Sequence, residues 1–234
     1  KKVSTMSIPA AFQAITVQAV QAALSTKTLG RALHLLGETS STNTIAVALA
    51  QGGAPDGTVV IAESQTAGRG RLGRQWHSPP GKNLYCSIIL RAVPTPDRVA
   101  QWLSWVPLIS AMATARAIQV RNALRPSVKW PNDILIGRRK VAGLLCESGG
   151  WGTPLAFVVV GIGINVNSHP ETFPPNLREL ATSMAAEAGR PFDRAALLAT
   201  LLSELEIRCE TFLLGRPTDV MQEYLARCST LGQR

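Results

Sequence analysis

What is scarce in this sequence narrows the field first. Only four cysteines and three histidines occur among 234 residues. Cys86, Cys146, Cys209 and Cys228 lie far apart and form no CxxC pair, which excludes a disulfide scaffold and a zinc ribbon. They read as reduced, buried small hydrophobes of a cytoplasmic protein. The histidines are equally scattered, and no Ser–His or Cys–His pair is visible, so nucleophilic catalysis by a side chain has no candidate. No run of about 18 apolar residues exists, which excludes a membrane-spanning helix. Residues 3–24 are amphipathic and too rich in Gln for a signal peptide. Repeats, low-complexity stretches and the phosphate-loop pattern G-x-x-x-x-G-K-[ST] are also missing, so a P-loop nucleotidase is excluded. Acidic residues are few, 15 against 24 basic ones, and the resulting charge of +9 implies an anionic partner without choosing it.

What is present reads as one large domain or one domain plus a small appendage. A chain of this length buries roughly 70% of its unfolded surface and needs no staple. Helices are expected over residues 8–24, 43–50, 98–121, 195–214 and 219–228, with Ser40, Ser41 and Thr42 able to cap the second and Pro107 expected to kink the third. Strands are expected over 33–36, 58–62 and 84–90. Residues 128–136 and 140–148 read as a hairpin about the turn 137–139, and the apolar run 155–166 as a central strand. Strands joined partly by hairpins predict an α+β domain with a mixed, largely antiparallel sheet flanked by helices.

Four stretches carry chemistry. In Gly68-Arg69-Gly70-Arg71-Leu72-Gly73-Arg74, followed by Gln75-Trp76, glycines let the backbone approach an anion while guanidinium groups surround it. A solvated basic loop is the plain alternative. The glycines also match G-x-G-x-x-G, but Pro79-Pro80-Gly81 follow and forbid the helix that a dinucleotide fingerprint requires. In Lys129-Trp130-Pro131-Asn132-Asp133, leading to Lys140-Val141-Ala142-Gly143, a lysine stands beside a rigid step, while Asn132 and Asp133 could be turn formers or, for Asp133, a magnesium ligand. Gly161-Ile162-Gly163-Ile164-Asn165 has glycines inside a strand, the mark of a bulge or a close approach. Ser40-Ser41-Thr42-Asn43 is a helix cap that could also bind a polar ring.

Together, and in this order, these stretches resemble the biotin–protein ligase family, from about residue 38 to 167. GRGR-x-GR-x-W and KWPND with K-x-AG are the specific marks. The resemblance implies a catalytic domain similar to class II aminoacyl-tRNA synthetases. It would use ATP and Mg²⁺ to activate biotin as biotinyl-5'-AMP, then pass it to a lysine of a biotin carboxyl carrier protein. It assigns Ser41, Thr42, Asn43 and Gln65 to the biotin ureido ring, Lys129 and Arg69 to catalysis, and Gly143, Gly161 and Gly163 to the biotin tail. Gly68, Arg69, Gly70, Arg71 and Arg74 form a loop that closes over the adenylate. Trp76 would stack on adenine, with Asn132 and Asn165 on the ATP side and Asp133 on the metal. Members often carry arginine where Leu72 stands, so one contact or some dimer chemistry is expected to differ here.

The division implied is a helical segment 1–30 and a catalytic domain 31–234, without the family's C-terminal β-rich domain. The start at Lys1 rather than Met suggests a piece of a longer chain. About 30 residues before the first matched stretch are too few for a DNA-binding domain, so no DNA contact is expected. A homodimer is possible. The rivals are a lipoate or octanoate–protein ligase or transferase of the same superfamily, and a nucleic-acid-binding module, which lacks a recognisable motif.

Overall fold

The computed structural model describes residues 14–91, 99–122, 124–150, 152 and 156–230, the side chains of 120–122 excepted. Residues 8–13 of the helix expected over 8–24, Arg98 and Leu155 lie outside them. Six helices and seven strands follow in the order α1 (Val17–Ala23), β1 (Leu33–Thr39), α2 (Thr42–Gln51), β2 (Val59–Gln65), β3 (Leu84–Leu90), α3 (Val99–Asn122), β4 (Pro126–Lys129), β5 (Asp133–Ile136), β6 (Arg139–Gly149), β7 (Phe157–Ile164), α4 (Met184–Ala188), α5 (Arg194–Leu213) and α6 (Pro217–Arg227).

The strands form a single mixed sheet in the order β1-β2-β3-β7-β6-β5-β4, with β7 in the middle as its unbroken apolar run requires. Only β1 and β2 are parallel; all other neighbours are antiparallel. The expected two-strand hairpin over 128–148 is instead a three-strand meander. Pro131 removes a donor and Trp130-Pro131-Asn132 turns the chain, so the expected strand 128–136 is two strands that pair with each other. Helix α3 runs on through Pro107.

Strand periodicity sorts the side chains onto two faces. Val158, Val160, Ile162 and Ile164 of β7, with Cys86 and Ile88 of β3, join α3 and α5 in the main core. Ile15, Val20 and Leu29 belong to the same core, so the chain from residue 15 onward is continuous with the domain. The opposite face is covered by α2, through Ala46 and Ala50 on Val60, Ile89, Phe157 and Val159. That smaller cluster ends where β7 changes from Val159 to Gly161 and Gly163. Beyond the α2 helix the cleft opens over this face of the sheet.

Burial holds the thiols protonated: Cys86 and Cys146 are both pushed up to about 12, as structural cysteines should be. All four cysteines are free thiols.

Candidate active site

A cleft of about 520 Å³ opens over the α2 face of the sheet. Gly143 of β6 and Gly163 of β7 are directly paired across strands, and Gly161 pairs with Leu145. A side chain at any of the three glycines would collide with what lies above it. At Gly163 a Cβ would come 2.5 Å from Trp76 Nε1, and at Gly161 1.9 Å from Asn43 Oδ1. The glycines make a flush floor on which the Trp76 indole and the Asn43 carboxamide rest. Trp76 therefore lies with the glycines that the resemblance assigns to the biotin tail. Its buried Nε1 has no hydrogen-bond partner.

One wall is the N-terminus of α2. Ser41 is its N-cap but makes no side-chain capping bond. The backbone N–H and Oγ1 of Thr42 donate to Gln65 Oε1 at 2.9 and 3.2 Å, and Gln65 Nε2 donates to Ser78 Oγ at 2.9 Å. Ser87 Oγ lies 2.8 Å from Thr42 Oγ1 and 2.6 Å from Asn43 Oδ1. Asn43 Nδ2 donates to Leu145 O at 3.1 Å and to Glu147 Oε2 at 2.8 Å. The wall is thus a fixed array of polar groups from three strands and one helix. Ser78, Ser87 and Glu147 escaped the sequence reading, because a single serine or glutamate on a loop or strand carries no motif.

The arginine–glycine stretch is a finger over the cleft. An antiparallel bridge joins Arg69 to Gln75, and Trp76 N–H donates to Gly68 O. A 3₁₀ turn at Arg71–Gly73 forms its tip, where Leu72 takes φ 57° and is 88% exposed. That left-handed conformation strains a leucine. Arg69, Gly70, Arg71 and Arg74 line the cleft; Gly68 lines the adjoining cavity beneath the finger instead. Arg71 Nη1 reaches Asn132 Oδ1 at 3.5 Å, while Asn132 Nδ2 donates to Leu144 O at 2.9 Å.

The far wall holds two lysines. Lys129 ends β4, paired through its backbone with Asp133, and is exposed. Lys140 sits deeper, its Nζ 2.6 Å from Asp133 Oδ1 and 5.2 Å from the centre of the Trp76 ring. Strict alternation puts Lys140 on the opposite face from Gly143. A register shift between β5 and β6 pairs Leu135 with Lys140 but Ile134 with Ala142, so the extra residue turns Lys140 into the cleft. Its place in K-x-AG was visible in sequence; the bulge that aims it was not.

Asp133 does not fit as the holder of a magnesium ion. Its oxygen is engaged by Lys140, and among the described residues no group of three His, Cys, Asp or Glu could hold a metal. Asn165 lines the cleft, but its Nδ2 donates to the backbone of Thr182 at 3.0 Å, a structural bond.

Every site residue that the resemblance assigns, except Gly68, therefore lines one cleft, with the α2 polar groups on one wall, the glycine floor between, and Lys129 and Lys140 on the far wall. This fold and site define a class: the chain belongs to the Biotin/lipoate A/B protein ligase family, whose sequence model matches residues 36–165. Among relatives, it is 39% identical over 190 residues to the bifunctional ligase/repressor BirA of Bacillus subtilis, covering 81% of this chain and 57% of that protein. It is 36% identical over 208 residues to the biotin–[acetyl-CoA-carboxylase] ligase of Mycobacterium tuberculosis, covering 87% of this chain and 73% of that one. The chain thus spans little more than half the length of the Bacillus relative. Among solved structures, the Aquifex aeolicus biotin protein ligase in complex with biotin and ATP superposes with a TM-score of 0.75 at 30% identity, over 87% of this chain and 81% of that one. The Leishmania major enzyme with biotinyl-5-AMP gives 0.69 at 25% identity, over 87% and 85%.

Proposed function

We propose that this chain is the catalytic part of an ATP-dependent ligase that activates biotin as biotinyl-5'-AMP and transfers it to a lysine of a carrier protein. The observation that carries the reading is the order of surfaces along the cleft. A cyclic urea needs clustered donors and acceptors, a valeryl tail needs a flat apolar track, and a carboxylate needs cations. The α2 wall, the Gly143–Gly163 floor under Trp76, and the lysine–arginine end supply them in that sequence.

In the first step a biotin carboxylate oxygen attacks the α-phosphorus of ATP, and pyrophosphate leaves. In the second a carrier lysine amine attacks the acyl carbon, an amide forms, and AMP leaves. The nucleophiles belong to the substrates, so the protein supplies position and positive charge. Lys129, the lysine of the motif, and Lys140, held between Asp133 and Trp76 next to Gly143, both line the cleft and supply the charge that meets carboxylate and α-phosphate. Arg69, Arg71 and Arg74 fold down with the finger, hold the phosphates and exclude water from the anhydride. Metal ions that accompany ATP bind largely through its phosphates and water.

The partner is a biotin-accepting carrier protein, and the relatives' name points to that of acetyl-CoA carboxylase. Four free thiols and the need for ATP suit a cytoplasmic setting. Among the described residues no helix is long and apolar enough to cross a membrane. A homodimer fits the outer half of β6, residues 144–149, which pairs with β7 but not with β5.

Exchange of radiolabelled pyrophosphate into ATP, dependent on biotin, tests the reading. Arg71→Gly should let biotinyl-AMP escape and label nearby lysines at random, seen by avidin blotting of a bystander protein. Unchanged retention would remove the finger as a clamp.

A further inference from the structure

Glu147 has no part in the reaction as described, yet it joins the finger to the polar wall. We propose that Glu147 is a positioning residue: it holds Arg69 in a waiting position while the cleft is empty and gives it up when an anionic ligand enters. The proposal rests on the cleft's being a biotin–ATP site, and it names a control on that site which the reaction does not require.

The geometry is specific. A single oxygen, Glu147 Oε2, accepts from Arg69 Nη2 at 2.5 Å and from Asn43 Nδ2 at 2.8 Å. Asn43 is buried and tied again to Leu145 O, so the carboxylate is fixed from the floor side. Its hold on Arg69 is the movable half. The two side chains are 42% and 31% exposed, and an ion pair so placed is screened and weak. Weakness is what a releasable contact needs.

The finger has little else to rest on. A second cavity, lined by residues 67–75 together with Leu145 and Glu147, separates it from β6. Its other side-chain tie among the described residues, Arg71 to Asn132 at 3.5 Å, is at the outer limit of a hydrogen bond. Arg69 therefore chooses between one carboxylate shared with Asn43 and whatever anion arrives. A ligand carrying a carboxylate and a triphosphate offers more negative charge and unshared oxygens, so the guanidinium changes partner and the finger moves with it.

Glu147→Gln separates the ionic hold from the wall, because the amide oxygen still accepts from Asn43 Nδ2. Limited trypsin digestion reads the finger directly, since its cleavable bonds follow Arg69, Arg71 and Arg74. Empty Glu147→Gln protein should be cut there about two- to five-fold faster than wild type, the range a screened ion pair allows. With biotin and ATP bound, both proteins should be protected equally. Added salt should speed cutting of the empty wild type and leave the variant unchanged, which gives a second arm that needs no mutation. Equal cutting of the two empty proteins, or no effect of salt on the wild type, would overturn the proposal. So would a variant that stays exposed when loaded, since Glu147 would then be holding the closed finger. Failure of biotin and ATP to protect even the wild type would count against the ligase reading instead, and the empty-state comparison would still decide the latch.

Discussion

At the scale of single residues, the two cleft lysines are the sharpest test of how the site works. Lys140→Ala should reduce biotin-dependent pyrophosphate exchange by about a hundredfold or more, the size of effect expected when a charge opposite the reacting oxygens is lost. Lys129→Ala should cost at least as much, as its motif implies. Exchange that survives either substitution would remove that lysine from the reaction. The floor offers a second test. Gly163→Ala puts a methyl group against the Trp76 indole, 2.5 Å away before relaxation, so the ring must move off the floor. The KM for biotin should rise about tenfold or more, as one misplaced carbon in an apolar site does, with the melting temperature little changed. An unchanged KM would mean that the floor is structural only. Sequence made most of these positions legible because they sit in dense motifs whose residue types have few other uses. Lys140, Ser87 and Glu147 were hidden because their roles depend on a bulge and on cross-strand neighbours, which no spacing along the chain reports.

At the scale of elements, the strands and long helices followed from period and composition, and the errors fell where proline or a bulge broke the period. Trp130-Pro131-Asn132 divided one expected strand into β4 and β5, and the short α4 passed unseen among prolines and 3₁₀ turns. One contact between elements governs the back of the site. The Arg194 guanidinium at the start of α5, 1% exposed, donates to Glu63 near the end of β2 at 2.7 Å and to Asn83 O at 3.1 Å. Glu63 also accepts the backbone N–H of Ile15. Glu63→Gln leaves a buried cation without its counter-charge, at a cost of about 3 kcal/mol. For a chain of this size that is roughly a 6–12 °C fall in melting temperature. A fall under about 2 °C would show that the pair contributes no more than a surface bridge.

At the scale of the whole molecule, burial of thiols on the main-core face of the sheet sets an alkaline limit. Cys86 and Cys146 keep their protons in the folded state up to about 12, whereas an exposed thiol loses its own near 9.0. The unfolded chain therefore gains by ionising first. Stability is fully present below the ordinary value and declines as pH rises from there toward about 12. Tyr85, raised by burial, adds to the decline with the same sign. Melting temperatures that stay flat over this window would contradict the burial of both thiols. The excess positive charge, read from composition as a call for an anionic partner, is concentrated in part around the cleft by Arg69, Arg71, Arg74, Arg138, Lys129 and Lys140. The finger that first drew attention to the site is thus one half of a charge arrangement completed by the far wall. The most direct test of that arrangement as a biotin-activating centre is pyrophosphate–ATP exchange with biotin against lipoate as the acid. Exchange that requires biotin and is not supported by lipoate is the predicted result; exchange with lipoate at an equal or greater rate, or none with biotin, would contradict it.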